Sequence, residues 1–202
     1  MANVDAAFGY RPIGKVGSGV NNAGTSLYAI GDNYNTSIFK GDHVMQASGL
    51  VIAGTASGST NLGVFNGCFY IDPTSKKPTW SNYYSQVNVT ASGSISGGTT
   101  IDAYIYDDPY TLFEAQCDGT IAKTDIGKNT DSVLGTSSTV NGLSVTEIDS
   151  GSENTTAGLQ VKIIGITKDP ENDDADSANA NWYVMWNEHV KFSSTGIPVR
   201  NS

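Results

Sequence analysis

The sequence predicts an all-β protein, a barrel or sandwich of short antiparallel strands preceded by an extended N-terminal arm. Three observations carry this. Only 38% of the 202 residues are hydrophobic and 15% charged, and much of the remainder is Ser, Thr, Asn and 23 Gly. Gly supplies positive φ in turns, and Asn and Ser bond to their own backbone, whereas helices draw on Ala, Leu, Glu, Lys and Arg. Apolar residues alternate at period two, most strictly in Ile101-Asp102-Ala103-Tyr104-Ile105-Tyr106. Turn clusters then divide the chain into short, evenly spaced runs with no internal repeat, which excludes a solenoid.

Residues 1–24 form the predicted arm. Gly9, Pro12, Gly14, Gly17, Gly19 and Gly24 interrupt any periodicity, while Phe8, Tyr10, Arg11, Pro12 and Ile13 make a compact apolar-aromatic group. Such anchors need a surface: either a neighbouring subunit or the chain's own domain, residues 25–202.

Within that domain, residues 27–30, 37–40, 43–45, 50–53 and 63–71 read as strands, with turns at 31–33 and at Gly41-Asp42 and a small-residue loop at 54–61. Asp72-Pro73-Thr74 ends the block, and Pro78 and Trp80 open an exposed excursion through Tyr83 and Tyr84. Strands follow at 86–89, 101–106 and 111–117, the last two joined by a turn at Asp107-Asp108-Pro109-Tyr110, because Pro109 cannot donate in a ladder. Residues 122–131 suit one short helix. Strands are then expected at 143–148 and 159–166, with a long closing strand at 181–190.

The formal net charge is −9 and the sequence pI about 4.4, so neither nucleic acid nor an anionic membrane is an expected partner. An acidic surface instead favours solubility at high local concentration. Cys68 and Cys117 are expected to be free core thiols. The first residues lack a basic segment and an apolar run, so no secretory signal or membrane span is expected and folding in a cytoplasm is.

Chemistry is sparse. His43 and His189 are the two histidines; each reads as structural, and no Ser or Cys nucleophile has a base beside it in a recognisable motif. Zinc spacing and phosphate-cradling loops are missing. Asp102, Asp107, Asp108 and Glu114 could pair as glycosidase carboxylates, but abundant acids make such pairs by chance. No enzymatic activity and no cofactor is expected. The acidic loop from Asp169 to Asp176 is the best metal candidate, for calcium. It misses the Asp-x-Asp-x-Asp-Gly spacing, so a solvated loop is expected.

The opening Met1-Ala2-Asn3-Val4-Asp5-Ala6-Ala7-Phe8-Gly9-Tyr10-Arg11-Pro12-Ile13-Gly14 resembles the start of small virion proteins of tailed phages, notably marine ones. Ser37-Ile38-Phe39-Lys40-Gly41-Asp42, Gly63-Val64-Phe65-Asn66-Gly67-Cys68-Phe69-Tyr70 and Tyr106-Asp107-Asp108-Pro109 are similar to those proteins too, and to capsid cement proteins with a β-rich core. The resemblance covers patches of residues 1–113, with a weaker echo at 182–190. It implies a decoration protein on the outer capsid surface of the virion, bound to the major capsid protein and often trimeric. Phe8, Tyr10, Arg11, Pro12 and Ile13 are then the expected anchors of the arm. The strand pair around Asp107, Asp108 and Pro109, with Tyr104, Tyr106, Tyr110, Leu112 and Phe113, is the expected self-association surface, since alternating strands must turn some of these outward. The rival expectation is a tail or fibre component whose Trp80, Tyr83 and Tyr84 form a carbohydrate-binding face.

Overall fold

A computed structural model describes residues 2–17, 20, 24–31, 34–58, 60–72, 74–86 and 101–192. The strands are β1 (Arg11–Lys15), β2 (Ser26–Ile30), β3 (Ile38–Phe39), β4 (His43–Ala47), β5 (Leu50–Ala53), β6 (Gly63–Ile71), β7 (Pro78–Ser81) and β8 (Tyr83–Tyr84). The second half adds β9 (Ile101–Tyr106), β10 (Thr111–Gln116), β11 (Asn129–Thr130), β12 (Ser132–Val133), β13 (Glu147–Ile148), β14 (Val161–Ile166) and β15 (Asn181–Trp186). The fold is all-β, as the alternation and turn content require.

Two antiparallel sheets dominate. One runs β1-β10-β15-β14-β11; the other runs β2-β9-β6-β4-β5, with β7 also paired to β6. The second sheet curls until its ends, β2 and β5, come within 8 Å between Cα atoms without forming a ladder. It is a coiled sheet filled by side chains, not a closed barrel.

Strand β6 joins the two halves, because successive residues of a strand face opposite sides. Val64 enters the core under the first sheet with Tyr10, Phe113, Trp182, Val184 and Trp186. Phe65 enters the core inside the coil with Ile30, Ile38, Tyr84, Ile101 and Ile105. Beyond a bulge between Phe65 and Gly67, Cys68 stays in the coil while Phe69 and Ile71 turn outward.

Several elements differ from expectation. Residues 78–84 are not an exposed excursion: β7 pairs with β6, β8 pairs with β3, and Tyr84 is fully buried with its hydroxyl donating to the Tyr34 carbonyl at 2.6 Å. The short helix over 122–131 shrinks to one 3-10 turn, Lys123–Asp125. Gly127, at φ 94°, donates to Ile163 at 2.8 Å, and Asn129–Thr130 join β14 as an edge strand, so sheet pairing outcompetes helix. The closing strand stops at Trp186 because the amides of Asn187 and Glu188 both turn to the Gln160 carbonyl. Of residues 143–148 only Glu147–Ile148 pair as a strand; Leu143 bridges Lys40 instead. The expected strand at 86–89 and turn at 31–33 fall largely outside the described residues.

The N-terminal segment is no free arm. β1 pairs with β10, Tyr10 is buried among Trp186 and Phe113, and Ala6 donates to the Gln116 side chain at 2.9 Å. Asn3 donates to the Asp174 and Ala178 carbonyls. Of the two surfaces open to it, these residues take the chain's own domain. Gly9 makes this possible: its φ is 73°, and a Cβ there would stand 2.6 Å from the Gly41 carbonyl oxygen.

Candidate functional site

Two surface features gather residues of interest. The first is a cleft of about 310 Å³ where Phe8, Arg11 and Pro12 face Lys40, Tyr106 and Leu143, with Tyr10 at its base. Arg11 lies 4.2 Å from the Phe8 ring centroid and donates to Glu114 at 3.3 Å. Four of the five predicted anchors therefore meet Tyr106 in one place; Ile13 stands apart on β1, half-exposed. Tyr10 is spent on the interior. Its hydroxyl bonds the Ser132 hydroxyl at 2.6 Å, and burial pushes its pKa well above the usual phenol range.

The predicted self-association strip divides likewise. Phe113 is a core residue, because β10 turns it against Trp186. Tyr106 is half-buried against the first core, and Leu112 is partly covered. Tyr110 is exposed, with its ring edge-on to Phe192 at 4.8 Å. Asp107 is not a surface contact either. Its buried carboxylate accepts from Ser26 Oγ at 2.8 Å and Tyr28 Oη at 2.6 Å, and pairs with Lys191. Burial would raise its pKa, but the bonds from Lys191, Tyr28 and Ser26 outweigh that and hold it below the usual carboxylate range. Asp108 pairs with Lys15 and accepts from the Tyr110 amide, while Pro109 completes the turn. The Asp107-Asp108-Pro109 turn is thus an internal staple: one carboxylate holds the coiled sheet to the segment after β15, the other holds β1.

The second feature is the outer face of the coiled sheet. Leu27, Phe69, Ile71 and Trp80 are exposed there at 59%, 37%, 42% and 51%, on β2, β6 and β7, with Tyr104 of β9 between Leu27 and the others. Tyr104 and Asp102 share the face on β9, because their neighbours Ile101, Ala103 and Ile105 fill the coil. Register places Tyr104 opposite Leu27 and Gly67, and Phe69 opposite both Asp102 and Trp80. The Trp80 indole crosses Gly67, where a Cβ would stand 2.6 Å from its ring, and meets Tyr104 at 5.0 Å between centroids. Glycine at 67 is what lets the indole lie down on the sheet. The predicted carbohydrate face does not form, since Tyr84 is in the core and Tyr83 stacks on Phe39 at 5.7 Å, leaving Trp80 without either. Leu27, Phe69 and Ile71 were not singled out from the sequence, whereas the alternation at 101–106 already put Asp102 on the outward face. The signal was the run after Gly67, apolar on both faces.

Neither histidine is poised for chemistry. His43 and His189 are buried, and burial lowers both pKa values, that of His189 to about 4. Both cysteines are free and buried, with pKa values raised by burial, Cys68 to about 12. In the acidic loop Asp169 accepts from the Glu171 amide, and Asp174 accepts from the Asp176 amide and the Ser177 hydroxyl. These carboxylates close turns. Among the described residues no three His, Cys, Asp or Glu side chains are grouped to hold a metal ion, and no helix is long and apolar enough to cross a membrane.

No known protein family, curated protein or solved structure matches the chain.

Proposed function

We propose that this chain is a structural protein of a tailed-phage virion that binds the outside of the assembled capsid shell and stabilises it. The observation that carries the reading is the outer face of the coiled sheet, where Leu27, Phe69, Ile71 and Trp80 stand exposed on a ladder-bonded support. An exposed apolar group of this extent, rich in aromatic residues, suits a protein partner, because such residues dominate the buried centres of interfaces. The resemblance of the segments around Phe8, Gly63 and Tyr106 to phage virion proteins names that partner as the major capsid protein.

The physical logic of a cement protein fits this scaffold. It needs a rigid body and docking surfaces, not a reactive centre. Weak contacts repeated over one shell add up, and binding only the assembled shell stabilises that state by mass action. A net charge of −9 keeps crowded copies soluble and disfavours packaged nucleic acid as the ligand. Trimerisation belongs to the same proposal, with Tyr110 the exposed aromatic of the predicted strip.

Co-sedimentation of the purified chain with assembled shells of the encoding phage tests this. Saturable binding in many copies per shell is expected, lost in a Phe69→Ser, Trp80→Ala double variant that keeps its melting temperature. Failure to bind shells, or recovery in few copies with tails alone, overturns the reading.

A further inference from the structure

We propose that the outer face of the coiled sheet receives an arginine side chain presented by its protein partner, with the guanidinium flat on the Trp80 indole and its fork on the Asp102 carboxylate. This rests on the reading of that face as the docking surface and adds the chemistry of what docks there.

The argument starts from Asp102. It lies within the apolar face, opposite Ala29 on one side and Phe69 on the other, two residues before Tyr104. Its carboxylate makes no hydrogen bond or ion pair with a described residue. Four other acids are paired with cations: Asp107 with Lys191, Asp108 with Lys15, Glu114 with Arg11 and Asp125 with Lys128; what distinguishes Asp102 is that it stands within an apolar face. A partner that covers Phe69 and Trp80 also strips water from Asp102. An apolar partner leaves that carboxylate buried and unpaired, which is strongly unfavourable. A second copy seated face to face brings a like charge to it, on a chain already at −9. The occupant must therefore carry a cation.

The neighbouring rings select which cation. Trp80 is half-exposed and fixed flat by the close approach of Gly67 and the edge contact with Tyr104. A guanidinium is planar, weakly hydrated and stacks on an indole while its edge donates two parallel bonds to a carboxylate. An ammonium is a compact, strongly hydrated charge and uses only half of this arrangement. Trp and Arg are also the residues most enriched at binding hot spots.

The test uses three peptide probes, acetyl-(Gly-Arg)3-amide and its lysine and citrulline counterparts. Trp182 and Trp186 are buried, so the exposed indole resonance reports Trp80 alone. The arginine peptide is expected to shift that resonance, the lysine peptide to bind more weakly, and the citrulline peptide not to bind. Asp102→Asn is expected to weaken arginine-peptide binding about tenfold with an unchanged melting temperature. Equal binding of the citrulline peptide, or full binding by Asp102→Asn, overturns the proposal. Shell co-sedimentation separates the two readings. If Trp80→Ala fails to bind shells while Asp102→Asn binds normally, the face stands and the arginine falls. If both bind normally, the docking face itself falls. A dimer that strengthens in Asp102→Asn puts a second copy on the face and also overturns the arginine.

Discussion

Replacing Asp107 by Ala is expected to destabilise the protein by about 3 kcal/mol, although the residue sits in a turn and touches no ligand. Three donors lose their acceptor: the Ser26 hydroxyl, the Tyr28 phenol and the Lys191 ammonium. Hydrogen bonds to a charged group are worth about 1.5 kcal/mol each at the lower end. The Lys191 side chain is 45% exposed and regains water, so its share is discounted to about 1 kcal/mol. The contributions share one acceptor and add to less than their total, about 3 kcal/mol. Urea denaturation at pH 7 measures this directly. The pH dependence supplies a second check. The Asp107 pKa is depressed in the fold, so its stabilisation is complete above the unfolded value of about 3.9 and disappears as pH falls through the folded one. The gap between parent and variant should close in strong acid. A loss below about 1 kcal/mol at pH 7, or a gap that does not narrow as pH falls below about 3.9, refutes the staple.

Three further outcomes are expected. Burial, with Asp5 and Asp118 nearby, raises Glu147 to about 7, so its contribution is intact below about pH 4.5 and lost as pH rises through 7. Glu147→Gln should therefore stabilise by about 1 kcal/mol at pH 8, after discount for its partial exposure, and by nothing near pH 4; equal effects at both pH values refute this. His189, held near 4 by burial and accepting from the Lys191 amide at 3.1 Å, should titrate far below 6.5 by NMR, and stability should fall as pH drops from 6.5 towards 4. A titration near 6.5 sinks that reading. Deleting residues 2–15 removes Tyr10 from the core and β1 from its sheet, at a cost of about 3–5 kcal/mol in urea; a truncated chain as stable as its parent shows that the segment is an arm after all.

The strands were legible wherever one face was buried and one wet. β6, β9 and β10 fall within a residue of their expected bounds, because alternation and flanking turns both mark them. Segments too short or too polar to show alternation of their own were not legible. Asn129–Thr130 become a strand only because β14 offers an edge, and Tyr84 is core only because β3 lies across it. The site shows the same division. Phe8, Arg11, Pro12 and Tyr106 stood out as aromatic and charged residues among breakers, and they do meet. Asp102 was legible as an outward acid in an alternating strand, but nothing in a local window reveals that its carboxylate lacks a partner among the described residues.

Strand order along the chain also has a consequence for biogenesis. The coiled sheet draws on β2 to β9 and is complete at Tyr106, whereas β1 must wait for β10, and β10 for β15. At about 5–20 residues per second, synthesis from Tyr106 to Trp186 occupies on the order of ten seconds. For that interval the nascent chain carries a formed coil flanked by an orphan strand whose Tyr10 has no pocket. Among the described residues Lys191 is one of the last to be made, so a chain cut short before it lacks the clasp on Asp107 and is left open to proteases.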